Sequence, residues 1–422
     1  MYQLLPLVVS ILILIALLVF KVNLGWSLVI ASGSLLVFSG NGLVEFVEIV
    51  RRTATDGQFL EIIGIVLLIN LLEELLRRAA YFDRTLQVLQ ETFKNRVKIT
   101  AVFPALFGAI PAIGGAKLSA PLVELAAKGL KITRAEQALL NYWFRHTWEF
   151  CSPLFPGPIL AIYLSGIETG KYILLMLPCT IIFVVLGHLF FLRPVLKRNQ
   201  EAGQTDVISV QPQSQQEPGV GFWKASFRLI KIVWPVLAIM FIVVVFKRSI
   251  LWPLLLTNLI LLYRTPKGKG FVHGLTKKVF SFQLLWMVIG VFLFKTTFEW
   301  TGIPQVIPSL LAGAGIPSYV LIIVFPLMIG LLTGLPSAVV GITYPILVPV
   351  FNHGGMLHLG ALMLAFVAGH VGSMLSPLHV CFVLTVDYFR TEILPFWKRL
   401  FYPQALELIV IFVLAYILGI PG

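Results

Sequence analysis

Charge is scarce in this chain: Asp and Glu together number 19, and all charged residues make up only 12%. An ordinary soluble domain carries roughly 25%. With 58% hydrophobic residues and a mean hydropathy of +0.93 over 422 residues, that shortage excludes a soluble globular protein and indicates a polytopic membrane protein. Cysteine is rarer still. Cys151, Cys179 and Cys381 all lie in apolar segments, are odd in number and show no Cys-x-x-Cys spacing, so neither a disulfide framework nor a zinc site is expected. Also missing are His-Glu-x-x-His, Gly-x-Ser-x-Gly and phosphate-loop patterns, which argues against an intramembrane enzyme. The net charge of +13 has the sign that suits nucleic acid, but the basic residues flank apolar runs and form no basic-aromatic surface, so they read as topology signals. Residues 1–20 lack a basic start and a small-residue cleavage site, and are expected to be a retained first span.

What the chain does contain is membrane-grade sequence interrupted by helix breakers. Pro111, Gly114, Gly115, Lys117, Ser119 and Pro121 separate two apolar pieces, 97–110 and 118–127, each too short to cross a bilayer. That predicts a re-entrant hairpin. Further on, Pro153, Pro156, Gly157 and Pro158 break a span running over 141–165, so its freed backbone groups must face protein, water or a ligand. The pattern returns later. A single offset of 224 residues relates Ser119 to Thr343, His146 to His370, and Ser152-Pro153 to Ser376-Pro377. Paired interrupted segments in two halves are the sequence mark of a transporter binding site built from repeats.

Spans are expected near 4–20, 24–40 and 59–77, then a hairpin at 97–128, a broken span at 141–165 and a span at 169–195. The second half repeats the plan at 226–247, 249–263, 281–300, hairpin 317–350, broken span 359–387 and last span 399–420. The fold class is therefore an all-α polytopic membrane protein of two repeats, 1–196 and 221–422. A hydrophilic cytoplasmic linker, 197–220, joins them. Each half has five crossings, an odd number, so the halves should be inverted. Scaffold spans are placed at 1–78 and 226–300. Interfacial helices are expected at 81–94 and, more weakly, 303–311.

Most of the 32 Lys and Arg fall in loops that this plan puts on one side, whereas Arg51, Arg52, Lys171, Lys247 and Arg248 fall on the other. The basic side is cytoplasmic by the positive-inside rule, both termini are external, and the first hairpin enters from the cytoplasm.

Each break exposes one helix end of partial negative charge and one of partial positive charge. The positive ends suit an anion such as a carboxylate, and the carbonyl ends suit Na⁺, with carbonyls near Ile113, Cys151, Gly334 and Leu375 as candidates. Substrate-binding candidates are Gly114, Gly115, Lys117, Ser119, Ser152, Ser337, Thr343, Ser376 and His379. The hydroxyls have a plainer reading as groups that bond a neighbouring carbonyl and bend the helix. Lys117 reads as a counter-charge for an anion or as a side chain reaching to the interface. His146, Glu149 and His370 are proton-coupling candidates, against a packing role for the histidines and an i,i+4 pair of Glu149 with Arg145. Glu149 is the one mid-span carboxylate singled out.

The Pro-x-x-Gly-Gly tip at Pro111, the Asn141-Tyr-Trp-Phe-Arg-His-x-Trp-Glu149 run, and Ser376-Pro377-x-His379 followed by Leu384-Thr385 resemble an uncharacterised prokaryotic integral-membrane family of the ion transporter superfamily. The resemblance covers essentially the whole chain. More distantly, the layout is similar to gluconate permeases, divalent-anion sodium symporters and TRAP transporter large subunits, though Ser-Asn-Thr signatures are lacking at both hairpin tips. The resemblance implies a scaffold, a mobile transport domain and elevator-type alternating access.

The expected function is a secondary active transporter, a symporter coupled to Na⁺ or H⁺, for a small anionic, carboxylate-type organic solute in a prokaryotic cell membrane. Alternatives are a cation/proton antiporter and a membrane subunit working with a solute-binding protein. No cofactor is expected beyond candidate Na⁺, no nucleic acid is a partner, and a homodimer is a candidate assembly.

Overall fold

The computed structural model describes residues 4–78, 95–109, 115–202, 222–247, 249–265, 275–276, 279–280, 282–306, 317–352 and 356–418, with backbone only at 115–118, 222–233 and 283. The expected interfacial helix 81–94, the hairpin tip at 110–114 and the linker from 203 onward lie outside these residues.

Helices make up the described fold. Three helical stretches, Thr169–Glu201, Leu359–Phe389 and Ile393–Ile417, are long and apolar enough, by length and composition, to cross a membrane, the second of them interrupted near its middle. In the first half, α1 (Leu5–Val19), α2 (Leu24–Phe38), α3 (Leu43–Thr55) and α4 (Gly57–Arg78) precede a hairpin of α5 (Arg96–Gly108) and α6 (Gly115–Ala127). Then come α7 (Arg134–Arg145), α8 (Pro156–Ser165) and α9 (Thr169–Glu201), the last carrying a π turn at His188–Leu192. The second half runs α10 (Phe222–Phe246), α11 (Leu251–Arg264), α12 (Phe282–Trp300), hairpin α13 (Ser318–Thr333) and α14 (Pro336–Phe351), α15 (Leu359–Leu375), α16 (Val380–Phe389) and α17 (Ile393–Ile417).

Several boundaries differ from expectation. Helix α9 continues to Glu201, because Arg198 donates to the Lys131 carbonyl and pairs with Glu136 at 2.7 Å, so 197–201 are helix and not linker. Helix α7 begins at Arg134, where Thr133 and Glu136 form a reciprocal cap. The last span starts at Ile393, six residues early. Of the weaker interfacial segment, only a 3₁₀ turn at Ile303–Gln305 is described. Helix α3 was not anticipated: it exposes Leu43, Val44 and Val47 beside a charged edge where Arg51 and Arg52 hold the Glu48 carboxyl down to about 2. That is the composition of a helix lying in an interface.

Packing pairs elements in a reciprocal way. Helix α2 packs on α12 and α4 on α11; α6 packs on α16 and α14 on α8. Both α8 and α16 are ten residues long, and the offset of 224 carries the bounds of one onto the other. The tightest seam joins α13 to α15. There a Cβ on Gly372 would run into the Leu327 carbonyl and one on Gly330 into the Gly369 carbonyl, so only glycine lets these backbones meet.

Candidate functional site

Two breaks organise the centre. Break 1, residues 146–155, separates α7 from α8, and break 2, residues 376–379, separates α15 from α16. Pro153, Pro156 and Pro377 forbid continuous helix at these places. The carbonyls freed at break 2 find side-chain donors: the Tyr142 hydroxyl donates to Met374 O at 2.9 Å and the Trp397 indole to Leu375 O at 2.9 Å, while Ser376 Oγ, in the break itself, donates across to Leu331 O on α13 at 2.7 Å. A break held away from water needs such partners.

The second hairpin turns at Gly334-Leu335 and sits against break 2. Gly334 has φ +64°, and a Cβ there would lie 2.5 Å from His379 N, so any other residue meets both strain and a clash. Nearby, a Cβ on Gly157 would touch Pro336 at 3.4 Å. The starts of α8, α14 and α16 are thereby brought side by side. None of their N-cap residues, Phe155, Leu335 and His379, supplies a side-chain cap. Three partial positive charges face the same region.

Within it lies a buried cluster. His146 is 0% exposed, His370 1% and His379 6%. His146 Nε2 lies 3.0 Å from His379 Nε2 and 3.9 Å from Glu149 Oε1, and Glu149 Oε2 lies 3.7 Å from His370 Nε2. The Phe150 ring lies 4.2 Å from the His370 ring and Tyr142 4.8 Å from His146, closing the cluster with aromatic walls. Arg145, 2% exposed, adjoins it in sequence.

The structure thus unites His146, Glu149, His370 and His379 from four predicted positions. Others fare differently. Helix α7 ends at Arg145, so Arg145 and Glu149 do not share a helix face. Thr343 is not at a break: it is buried in the middle of α14. Ser337 is at the start of α14, half-buried. Ser119 donates to Asn141 Oδ1 at 2.6 Å, tying the first hairpin to α7. Ser152 accepts from Leu154 N at 3.4 Å, and Ser376, besides its bond to Leu331 O, accepts from Leu378 N at 3.2 Å; both shape their own turns. The carbonyls proposed for Na⁺ at Gly334 and Leu375 already accept from His379 Nδ1 and Trp397. Cys151 lies in break 1. Gly114 and Ile113 fall outside the described residues, and of Gly115 and Lys117 only the backbone, in the first turn of α6, is described.

Two features escaped the sequence reading. One is Cys381, whose thiol joins the His146–His379 pair. The other is Glu407, fully buried on α17, with neither carboxylate oxygen hydrogen-bonded among the described residues; Gln404, one turn earlier, is equally bare. Glu149 is therefore not the sole mid-span carboxylate. An acidic residue inside an apolar 25-residue helix was the signal.

A family model described as "Protein of unknown function (DUF401)" matches residues 2–418. No curated protein matches the chain. Among solved structures, the fold is similar to MtrF of Neisseria gonorrhoeae, described as illuminating a class of antimetabolite efflux pumps. The match has a TM-score of 0.58 at 16% identity over 90% of this chain and 84% of that one.

Proposed function

The chain belongs to the DUF401 family, and we propose that it is a secondary active transporter of a small anionic, carboxylate-type organic solute, coupled to Na⁺ or H⁺. The carrying observation is the convergence of three uncapped helix starts, α8, α14 and α16, on one buried cluster. Main-chain N–H groups at such ends bind anions. Gly115, Lys117 and Ser337 at the hairpin starts belong to the solute's surroundings in this reading. Glu149 and Glu407 are carboxylates at which a coupling cation would relieve an uncompensated buried charge.

The reciprocal packing of α2 on α12 with α4 on α11, and of α6 on α16 with α14 on α8, is what an internal two-fold axis generates, and supports two inverted repeats. Hairpins, α7, α8, α15 and α16 form the moving body in an elevator cycle. The near-complete burial of the histidines corresponds to a closed state. Similarity to an efflux pump makes export a second direction to test.

A thermal-shift screen of the purified chain tests this. Mono-, di- and tricarboxylates, sugar acids and oxyanions are offered in Na⁺ and in K⁺ at acid and alkaline pH. A ligand at 100 times its dissociation constant adds about 2.7 kcal/mol to stability. At least one anion should stabilise, and more so with its coupling cation. Stabilisation by neutral or cationic compounds alone overturns the anion reading and brings the antiporter forward.

A further inference from the structure

His146, His379 and Cys381 reach one another from three separate places: the end of α7, the turn of break 2, and the first turn of α16. His146 Nδ1 lies 2.6 Å from Tyr142 O, and His379 Nδ1 lies 2.5 Å from Gly334 O. A carbonyl oxygen only accepts, so both Nδ1 atoms carry the proton and both Nε2 atoms present a lone pair. Those lone pairs face each other at 3.0 Å. They repel unless a cation lies between them.

The third donor decides which cation. Cys381 Sγ and one ring nitrogen of each histidine all lie within 4.8 Å of one another. Two imidazole nitrogens and a thiolate are the ligands of Zn²⁺-type ions, which take N at about 2.0–2.1 Å and S at about 2.3 Å. Imidazoles whose Nδ1–H is fixed by a backbone carbonyl are the usual outer arrangement of metal-binding histidines. One thiolate and Glu149, 3.9 Å from His146 Nε2 and with Oε2 unbonded among the described residues, neutralise a dication; the buried Arg145 guanidinium leaves one positive charge over, which an incoming anion offsets. A proton shared by the two rings would satisfy the nitrogens and be offset by Glu149, but it gives the thiol no part.

We propose that His146, His379 and Cys381 bind one divalent cation of the Zn²⁺ type, with Glu149 or an incoming anion as the fourth ligand. The sequence reading excluded zinc because no two cysteines are closely spaced. Here the ligands meet only when the two breaks do.

The test uses the full chain, purified, stripped with chelator, without solute or ion gradient, so the failure of the transport reading leaves it intact. Co²⁺ should bind one per chain, give a sulfur-to-cobalt charge-transfer band and be displaced by Zn²⁺. Cys381→Ser should abolish the band and weaken binding tenfold or more, His379→Ala should weaken it further, and Cys179→Ser should leave the band unchanged. Zn²⁺ should also protect Cys381 from alkylation in the unmutated chain, a readout that stands even where a variant misfolds. Absence of stoichiometric binding, a band that survives Cys381→Ser, or alkylation of Cys381 unaffected by Zn²⁺ overturns the proposal. Stabilisation of the stripped chain by acid alone, with no response to either metal, assigns the histidine pair to a proton instead.

Discussion

At the scale of single residues, contacts with break 2 set the largest expected effects. Gly334 and Gly166 both have positive φ, +64° and +70°, but a Cβ on Gly334 meets His379 whereas one on Gly166 meets nothing within 4 Å. Gly166→Ala should lose only the backbone strain, about 1–2 kcal/mol, and Gly334→Ala that plus an overpacking cost of about 1–3 kcal/mol. Equal melting temperatures for the two variants would mean that the hairpin tip does not rest on His379. Glu407→Gln is expected to leave thermal stability unchanged or raised, since it removes an unpaired buried carboxyl, while lowering coupled transport at least tenfold; unimpaired transport would remove Glu407 from the coupling path. His146 and His379 were legible singly in the sequence. Their pairing was not, because it depends on a register between α7 and α16 across 233 residues of chain.

Elements were the most readable level. Apolar runs, prolines and the common offset put the outer bounds of both hairpins and of the second broken span within two residues of the described helices, since each is fixed by local chemistry. The start of α7 was missed by seven residues because its first turns are polar and held by a cap and by Arg198 from α9, a tertiary contact. Helix α3 was missed for a related reason: its low hydropathy hides an amphipathic period. If α6 and α16 move together, a crosslink by a bifunctional thiol reagent between Glu124→Cys and Tyr388→Cys, whose native side chains hydrogen-bond at 2.8 Å, should leave transport intact. The same reagent bridging Glu61→Cys on α4 and Tyr163→Cys on α8, two residues that line one cavity, should block it, with Cys151 and Cys179 replaced by Ser in both. Blocking by both, or by neither, would argue against an elevator.

For the whole molecule, inversion of the halves makes a sidedness prediction. A cysteine at Leu335, exposed at the second hairpin tip, should be labelled by an impermeant reagent from outside, and one at Gly115 from the cytoplasm only. Labelling of both from one side would exclude inverted repeats. The central claim, that the cluster where the two breaks and the second hairpin meet is a site for coupled anion movement, is tested most directly by flux. The chain, reconstituted alone in vesicles of both orientations, should accumulate the stabilising anion against its gradient when a Na⁺ or H⁺ gradient is imposed. It should stop when that gradient is dissipated, and fall at least tenfold in His370→Ala. Flux indifferent to both cation gradients, or unchanged in His370→Ala and Glu149→Gln alike, would contradict it.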